Sequence, residues 1–89
     1  MRNARTTGQF DRDYLLMVKR GKKIEKLDAA MMLSLQTEPL PTRYRDHALR
    51  GGFTGCHDCH VEPDWLLIYR LESDTVTFIR TGTHSDIFK

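Results

Sequence analysis

The sequence predicts an α+β fold in which two amino-terminal helices pack on one face of a small, mainly antiparallel twisted sheet. Three features carry that expectation. Two apolar stripes with helical spacing fill the first part of the chain, strand-length runs rich in β-branched and aromatic residues follow, and a short polar link joins the last two runs.

Up to Thr7 the chain is polar and partly β-branched, which suits a brief edge strand. From Gln9 onward Phe10, Tyr14, Met17 and Val18 form one stripe of a helix that ends near Gly21. Ile24, Leu27, Met31 and Leu35 form a second stripe, supported by Ala29, Ala30, Met32 and Leu33. It stops before Glu38-Pro39-Leu40-Pro41, because the residue ahead of a proline is pushed out of the helical region. Residues 39–52 read as an ordered loop carrying Arg43, Arg45, Asp46, His47 and Arg50. Strands are expected over 53–61, 65–71 and 75–81. Glu72-Ser73-Asp74 has hairpin length, so the last two strands should be antiparallel neighbours. The tail from Gly82 has room for no more than a turn of helix. With both helices on one side, the other sheet face is expected to be open, a natural cleft for a macromolecular ligand.

Eighty-nine residues and 10.4 kDa fit one domain, 1–89, and exclude a multidomain enzyme. Hydrophobic residues at 39% and charged residues at 29%, with 3 Pro and 6 Gly, exclude a disordered or collagen-like chain. The net charge of +2 is unevenly spread: residues 1–50 carry +5 and residues 51–89 carry −3. The main basic cluster, Lys19, Arg20, Lys22, Lys23 and Lys26, suits either a solvated turn between helices or a contact with nucleic-acid phosphate. The first residues lack the apolar core of a secretory signal, and no apolar run approaches the ~18–20 residues of a membrane span. A cytoplasmic location with no membrane partner is the expectation, and there Cys56 and Cys59 should be reduced thiols.

Cys56-His57-Asp58-Cys59-His60 matches the C-x-x-C-H pattern of haem attachment. On a strand, however, residues three apart point to opposite faces, so the two thiols cannot jointly hold haem or zinc. A zinc site would also need His47, His57, His60 or His84 to complete four ligands with no second C-x-x-C. The plainer reading is two small residues on opposite faces.

His47, His57, His60 and His84 fall at element ends, and only one of His57 and His60 can face the open side of a regular strand. His60 is the candidate, since Glu62, Asp64 and Trp65 follow it around the Pro63 turn. Imidazole has an unperturbed pKa of about 6.5, so a neutral and a protonated histidine can serve as base and acid near neutrality. RNA cleavage through the 2′-hydroxyl uses such a pair and needs no metal.

Three blocks carry a family resemblance: Asp46-His47-Ala48-Leu49, the run His60-Val61-Glu62-Pro63-Asp64-Trp65-Leu66-Leu67-Ile68-Tyr69, and Arg80-Thr81-Gly82-Thr83-His84-Ser85-Asp86-Ile87-Phe88. In order and spacing they resemble the YafQ branch of the RelE-type bacterial toxins, over nearly the whole chain. The resemblance implies the RelE-like compact fold and a type II toxin, a ribosome-dependent endoribonuclease that cuts messenger RNA in the A site without a metal or cofactor. It implies partners as well: 16S ribosomal RNA, messenger RNA, and a cognate ribbon-helix-helix antitoxin forming a heterotetramer or larger complex, with operator DNA bound only through that antitoxin. His47, His60, Asp64, His84 and Phe88 match the family's active-site positions, and Trp65 adjoins them. On this reading His84 is the general acid, Asp64 or His47 the base, and His60 stabilises the phosphate or orients a neighbour. Arg80 supplies positive charge, Phe88 stacks on a base, and the Lys19 to Lys26 cluster meets ribosomal RNA. Two rivals stay open: an inactive relative that only partners its antitoxin in operator binding, and a haem or zinc module through Cys56 and Cys59.

Overall fold

The computed structural model describes residues 1–88. Its elements run β1 (Asn3–Thr6), α1 (Gly8–Lys19), α2 (Ile24–Ser34), β2 (His47–Ala48), β3 (Cys56–Glu62), β4 (Trp65–Glu72), β5 (Thr75–Gly82) and α3 (His84–Ile87), with short 3-10 turns at Thr42–Tyr44 and Gly51–Phe53. The five strands form one sheet in the order β1-β5-β4-β3-β2. β1 is the edge strand expected at the amino terminus and lies parallel to β5; every other pairing is antiparallel.

α1 starts at Thr7 because its hydroxyl accepts from the Phe10 amide at 3.0 Å, satisfying one of the donors that a helix start leaves free. The same hydroxyl donates to the Ile79 carbonyl at 2.9 Å, which seats the helix start on β5. Phe10, Asp13 and Met17 form the buried face of α1, and Leu27, Ala30 and Ser34 that of α2. Gly21, at φ +75°, makes the turn between them, a conformation that costs glycine little. Phe10, Met17 and Leu27 meet Cys59, Trp65, Leu67, Tyr69, Val76 and Phe78 in one core. Each large apolar side chain fully buried there contributes about 1.5–3 kcal/mol before entropy is counted.

Two features differ from the sequence expectation. The loop over 39–52 contains a two-residue strand, β2, in which His47 pairs directly with Asp58. The sheet face away from the helices is also not bare: Leu66 and Ile68 alternate with core-facing Leu67 and Tyr69 yet are fully buried, and Cys56 is buried outside the main core. On the chain after β5, Phe88 meets Phe53 edge-on at 5.7 Å.

Two bulges reset the strand alternation. Val61 is extra between the pairs His60–Leu66 and Glu62–Trp65, and Ile79 is extra between Phe78–Tyr69 and Arg80–Ile68. The second bulge puts Thr81 opposite core-facing Leu67, where its hydroxyl accepts from Trp65 Nε1 at 3.0 Å and donates to the Leu66 carbonyl at 2.8 Å. It also places the Thr81 amide 3.2 Å from Asp13 Oδ2. Asp13 is 5% exposed, and its carboxylate takes Arg80 Nε at 2.7 Å and Gln9 Nε2 at 2.9 Å as well. Removing the carboxylate strands a partly buried guanidinium and the buried Thr81 amide, which together cost about 3–5 kcal/mol. Asp13→Ala should therefore lose roughly that much stability in urea denaturation, and a loss below about 1 kcal/mol would show that the pair is not what fixes β5 to α1.

Candidate functional site

The end of β5 is built to hold a short helix rigidly. Thr83 caps α3 by accepting from the Asp86 amide at 3.1 Å, and Asp86 returns the contact by accepting from the Thr83 amide at 2.8 Å. Arg20, at the end of α1, donates twice to the Asp86 carboxylate, at 2.7 and 3.0 Å. These donors, led by the Arg20 guanidinium, hold the Asp86 carboxyl far below the usual range. Gly82 permits the approach: a Cβ there would lie 2.9 Å from Asp86 Oδ2. The sequence block Arg80 to Asp86 is thus largely a clamp, and what it presents is His84.

His84 faces Asp64, the second residue of the two-residue turn between β3 and β4. Asp64 Oδ1 accepts from the His84 amide at 3.0 Å and lies 2.5 Å from its Nδ1. The backbone donor first, then the imidazole, lowers the Asp64 carboxyl below its ordinary value. Both side chains are open to solvent, at 53% and 66% exposure. His60 lies across the opening, its ring centroid 5.9 Å from that of His84 and its Nδ1 3.3 Å from the Pro63 carbonyl.

The third histidine arrives from β2. His47 Nδ1 is 3.0 Å from the Arg45 carbonyl and 3.1 Å from Asp58 Oδ1. The Asp58 contact is close but not aligned as a hydrogen bond, so Oδ1 is a buried acceptor without a formed partner. Burial raises the Asp58 carboxyl above its ordinary value, while His47, His60 and His84, in that order, act to lower it. All three histidines therefore lie within electrostatic reach of one carboxylate. Sequence reasoning missed Asp58 because it sits inside the C-x-x-C-H run; its two-residue spacing from His60 on a strand, which puts both on one face, was the available signal. As strand alternation requires, His57 turns the other way and stacks on Tyr69, with ring centroids 5.4 Å apart.

Other expected site residues are committed elsewhere. Trp65 is fully buried and bonded to Thr81, so its ring belongs to the core and does not face a substrate. Arg80 is neutralised by Asp13, which removes it as a free charge for a phosphate. Within the basic cluster, Arg20 holds Asp86, Lys26 pairs with Glu62 at 3.1 Å, and Lys22 Nζ sits 5.8 Å from the centre of the Trp65 ring. Lys19 and Lys23 are exposed, with no ion pair among the described residues. Phe88, 44% exposed, stays available at the rim. Cys59 lies in the helix-side core, where burial pushes its thiol up to about 12, and Cys56 lies outside that cluster with Arg70 Nη2 3.7 Å from its Sγ. Two thiols so placed share no ligand. No helix among the described residues is long and apolar enough to cross a membrane.

Comparison with known proteins gives this arrangement its class, the small bacterial toxins of type II toxin–antitoxin systems. The chain belongs to the YafQ family of those toxins, whose family model matches residues 2–89. It is 46% identical over 88 residues to the mRNA interferase toxin YafQ of Escherichia coli K12, covering 98% of this chain and 96% of that protein. The crystal structure of YafQ from E. coli BL21(DE3) superposes with a TM-score of 0.94 at 43% identity, covering 100% of both chains. YafQ in the E. coli DinJ–YafQ toxin–antitoxin complex superposes at 0.92 with 45% identity, covering 99% of this chain and 98% of that one.

The raised Asp58 carboxyl fixes the sign of a stability effect. The folded chain holds that proton more tightly than the unfolded chain does, so the contribution is fully present below the ordinary carboxylate range and lost as pH rises through the raised value. Asp58→Asn should accordingly raise stability at neutral pH by about 1 kcal/mol, since it removes a poorly satisfied buried charge. Urea melts at neutral pH and at about pH 4, where the gain should shrink, check this; a destabilised variant at neutral pH would reverse the assignment.

Proposed function

We propose that this chain is an endoribonuclease that cleaves messenger RNA by metal-independent acid–base chemistry, with the ribose 2′-hydroxyl as nucleophile. The carrying observation is the exposed His84–Asp64 pair beside His60, with ring centroids 5.9 Å apart, a spacing at which two imidazoles can reach one phosphodiester docked at the opening. The activity named for the E. coli K12 relative supports it. In the reaction a base takes the 2′-hydroxyl proton, O2′ attacks phosphorus, and the P–O5′ bond breaks as an acid protonates O5′. The products are a 2′,3′-cyclic phosphate and a 5′-hydroxyl.

His84 is assigned as the acid. Asp64 accepts from it at both the backbone and the ring, so the carboxylate orients the imidazole, as the aspartate does in a Ser-His-Asp triad. A carboxylate held low in this way is a weak base, which moves that role from Asp64 to a histidine. His60 directs Nδ1 at the Pro63 carbonyl, an arrangement in which Nδ1 donates and Nε2 is free to accept. His60, beside His84, takes the base role. His47, backed by Asp58, supplies positive charge to the phosphorane in place of Arg80. Phe88, paired with Phe53, offers a ring edge for a splayed base.

The setting proposed is the A site of a translating ribosome in the cytoplasm, with exposed Lys19 and Lys23 tracking 16S ribosomal RNA. A cognate antitoxin of the ribbon-helix-helix type would neutralise the toxin in a heterotetramer or larger complex and alone contact operator DNA. The DinJ–YafQ complex supports a bound antitoxin.

His84→Ala should lower the cleavage rate by about 10²–10⁴-fold and abolish growth arrest, while circular dichroism and antitoxin binding stay unchanged. The ends of cleaved message should carry 2′,3′-cyclic phosphate and 5′-hydroxyl. A folded His84→Ala variant that still arrests cells would remove His84 from the chemistry.

A further inference from the structure

A cavity of about 510 Å³ opens beside His60, within the roughly 300–1,000 Å³ range of ligand sites. The β3 bulge shapes it. In a regular strand successive residues face opposite ways, but the extra Val61 lets His60, Val61 and Glu62 all line this one space. Ala29 of α2, Val61 and Pro63 give it an apolar floor.

Its charges are unequal. Lys26 and Glu62 neutralise each other at 3.1 Å, which leaves Arg43 and Arg45 against Glu25. Arg43 is pre-set, its guanidinium 4.9 Å from the centre of the Tyr44 ring and its Nη2 donating to the Tyr44 hydroxyl at 3.2 Å, on a tyrosine that is 5% exposed. Arg45 sits at φ +50°, and its carbonyl is the one 3.0 Å from His47 Nδ1. The cavity is thus joined to two of the three histidines.

We propose that this cavity is the subsite for the nucleotide adjacent to the scissile link, with Arg43 and Arg45 clamping its phosphate and the apolar floor receiving its base. The assignment rests on the endoribonuclease reading above. Guanidinium forks match phosphate oxygens, and preordering by Tyr44 reduces the entropy lost on binding.

The test uses free toxin and a 2′-O-methyl oligoribonucleotide, which binds but cannot be cut through its 2′ position, followed by fluorescence anisotropy across a salt series. The variant pairs Arg43→Gln with Arg45→Asn, asparagine being tolerant of positive φ. Expected are about tenfold weaker binding and a log–log salt slope shallower by about 0.7, the share of one phosphate contact. Arg43→Lys should restore part of the slope but not the bidentate affinity. In ribosomal cleavage by the double variant, KM should rise with kcat nearly unchanged. Unchanged anisotropy with cleavage intact would overturn the subsite alone. Weakened binding in a chain whose wild type cuts no message would overturn the nuclease reading and leave the subsite. Failure of the wild type to bind the probe, or a variant that loses only antitoxin affinity, would overturn the subsite, the latter in favour of a protein groove.

Discussion

A buried carboxylate that must be satisfied organises this molecule. Asp13 projects from α1 into the core and is compensated by Arg80, by the Thr81 amide and by Gln9. Two of those partners lie on the last stretch of β5, so neutralising one charge fixes where the carboxyl-terminal segment leaves the sheet. Asp86 repeats the device one turn later through Arg20 and the Thr83 cap. With both carboxylates satisfied, the terminal block is fixed on α1, and it turns the His84 ring toward Asp64. A side chain on a four-residue helix would otherwise be mobile, since so short a helix has little stability of its own. The ion pairs supply the rigidity that helix length cannot, and acid–base chemistry is sensitive to displacements of an ångström.

The same devices explain what the sequence could reveal. The helices and the β4–β5 hairpin were legible because apolar periodicity and turn chemistry are local, and the two-residue spacing of Asp58 and His60 separates them from His57 by the rules of a strand. Partners far apart in sequence were not legible. Arg80 and Asp13 are 67 residues apart, and Arg20 and Asp86 are 66 apart. An arginine in a functional block looks like a free charge until its counter-ion is located, and Arg80 and Arg20 were both read that way. Trp65 misled for a related reason: it stands beside Asp64 in the chain, yet adjacent residues at a strand start part company, one at the exposed turn and the other in the core.

The C-x-x-C-H run shows how a strong pattern can arise without its usual chemistry. Its five residues are one strand with alternating duties: Cys59 fills the helix-side core, Asp58 and His60 serve the opposite face, and His57 stacks on Tyr69. Burial holds the Cys59 thiol at about 12, so almost none is thiolate near neutrality. Haem attachment needs two reactive thiols on one side of the backbone, and β geometry denies that to residues three apart.

Asp58 stands apart from the other two carboxylates. Asp13 and Asp86 are amply bonded and stabilise the fold; Asp58 is as buried as Asp13 but has an oxygen close to His47 without good alignment. A fold selected for stability alone would put an apolar residue there, because the neighbouring inward positions of β4, Leu66 and Ile68, are apolar and fully buried. Retaining a charge at a local cost makes sense when three imidazoles feel it. One negative charge at that point acts on His47, His60 and His84 together, and in surroundings poorer in water than the surface it does so more strongly than it would in bulk solvent. The imperfect alignment leaves that charge shared: a carboxylate fully bonded to one histidine would act mainly on that ring, whereas Asp58 Oδ1 lies close to His47 without being tied to it.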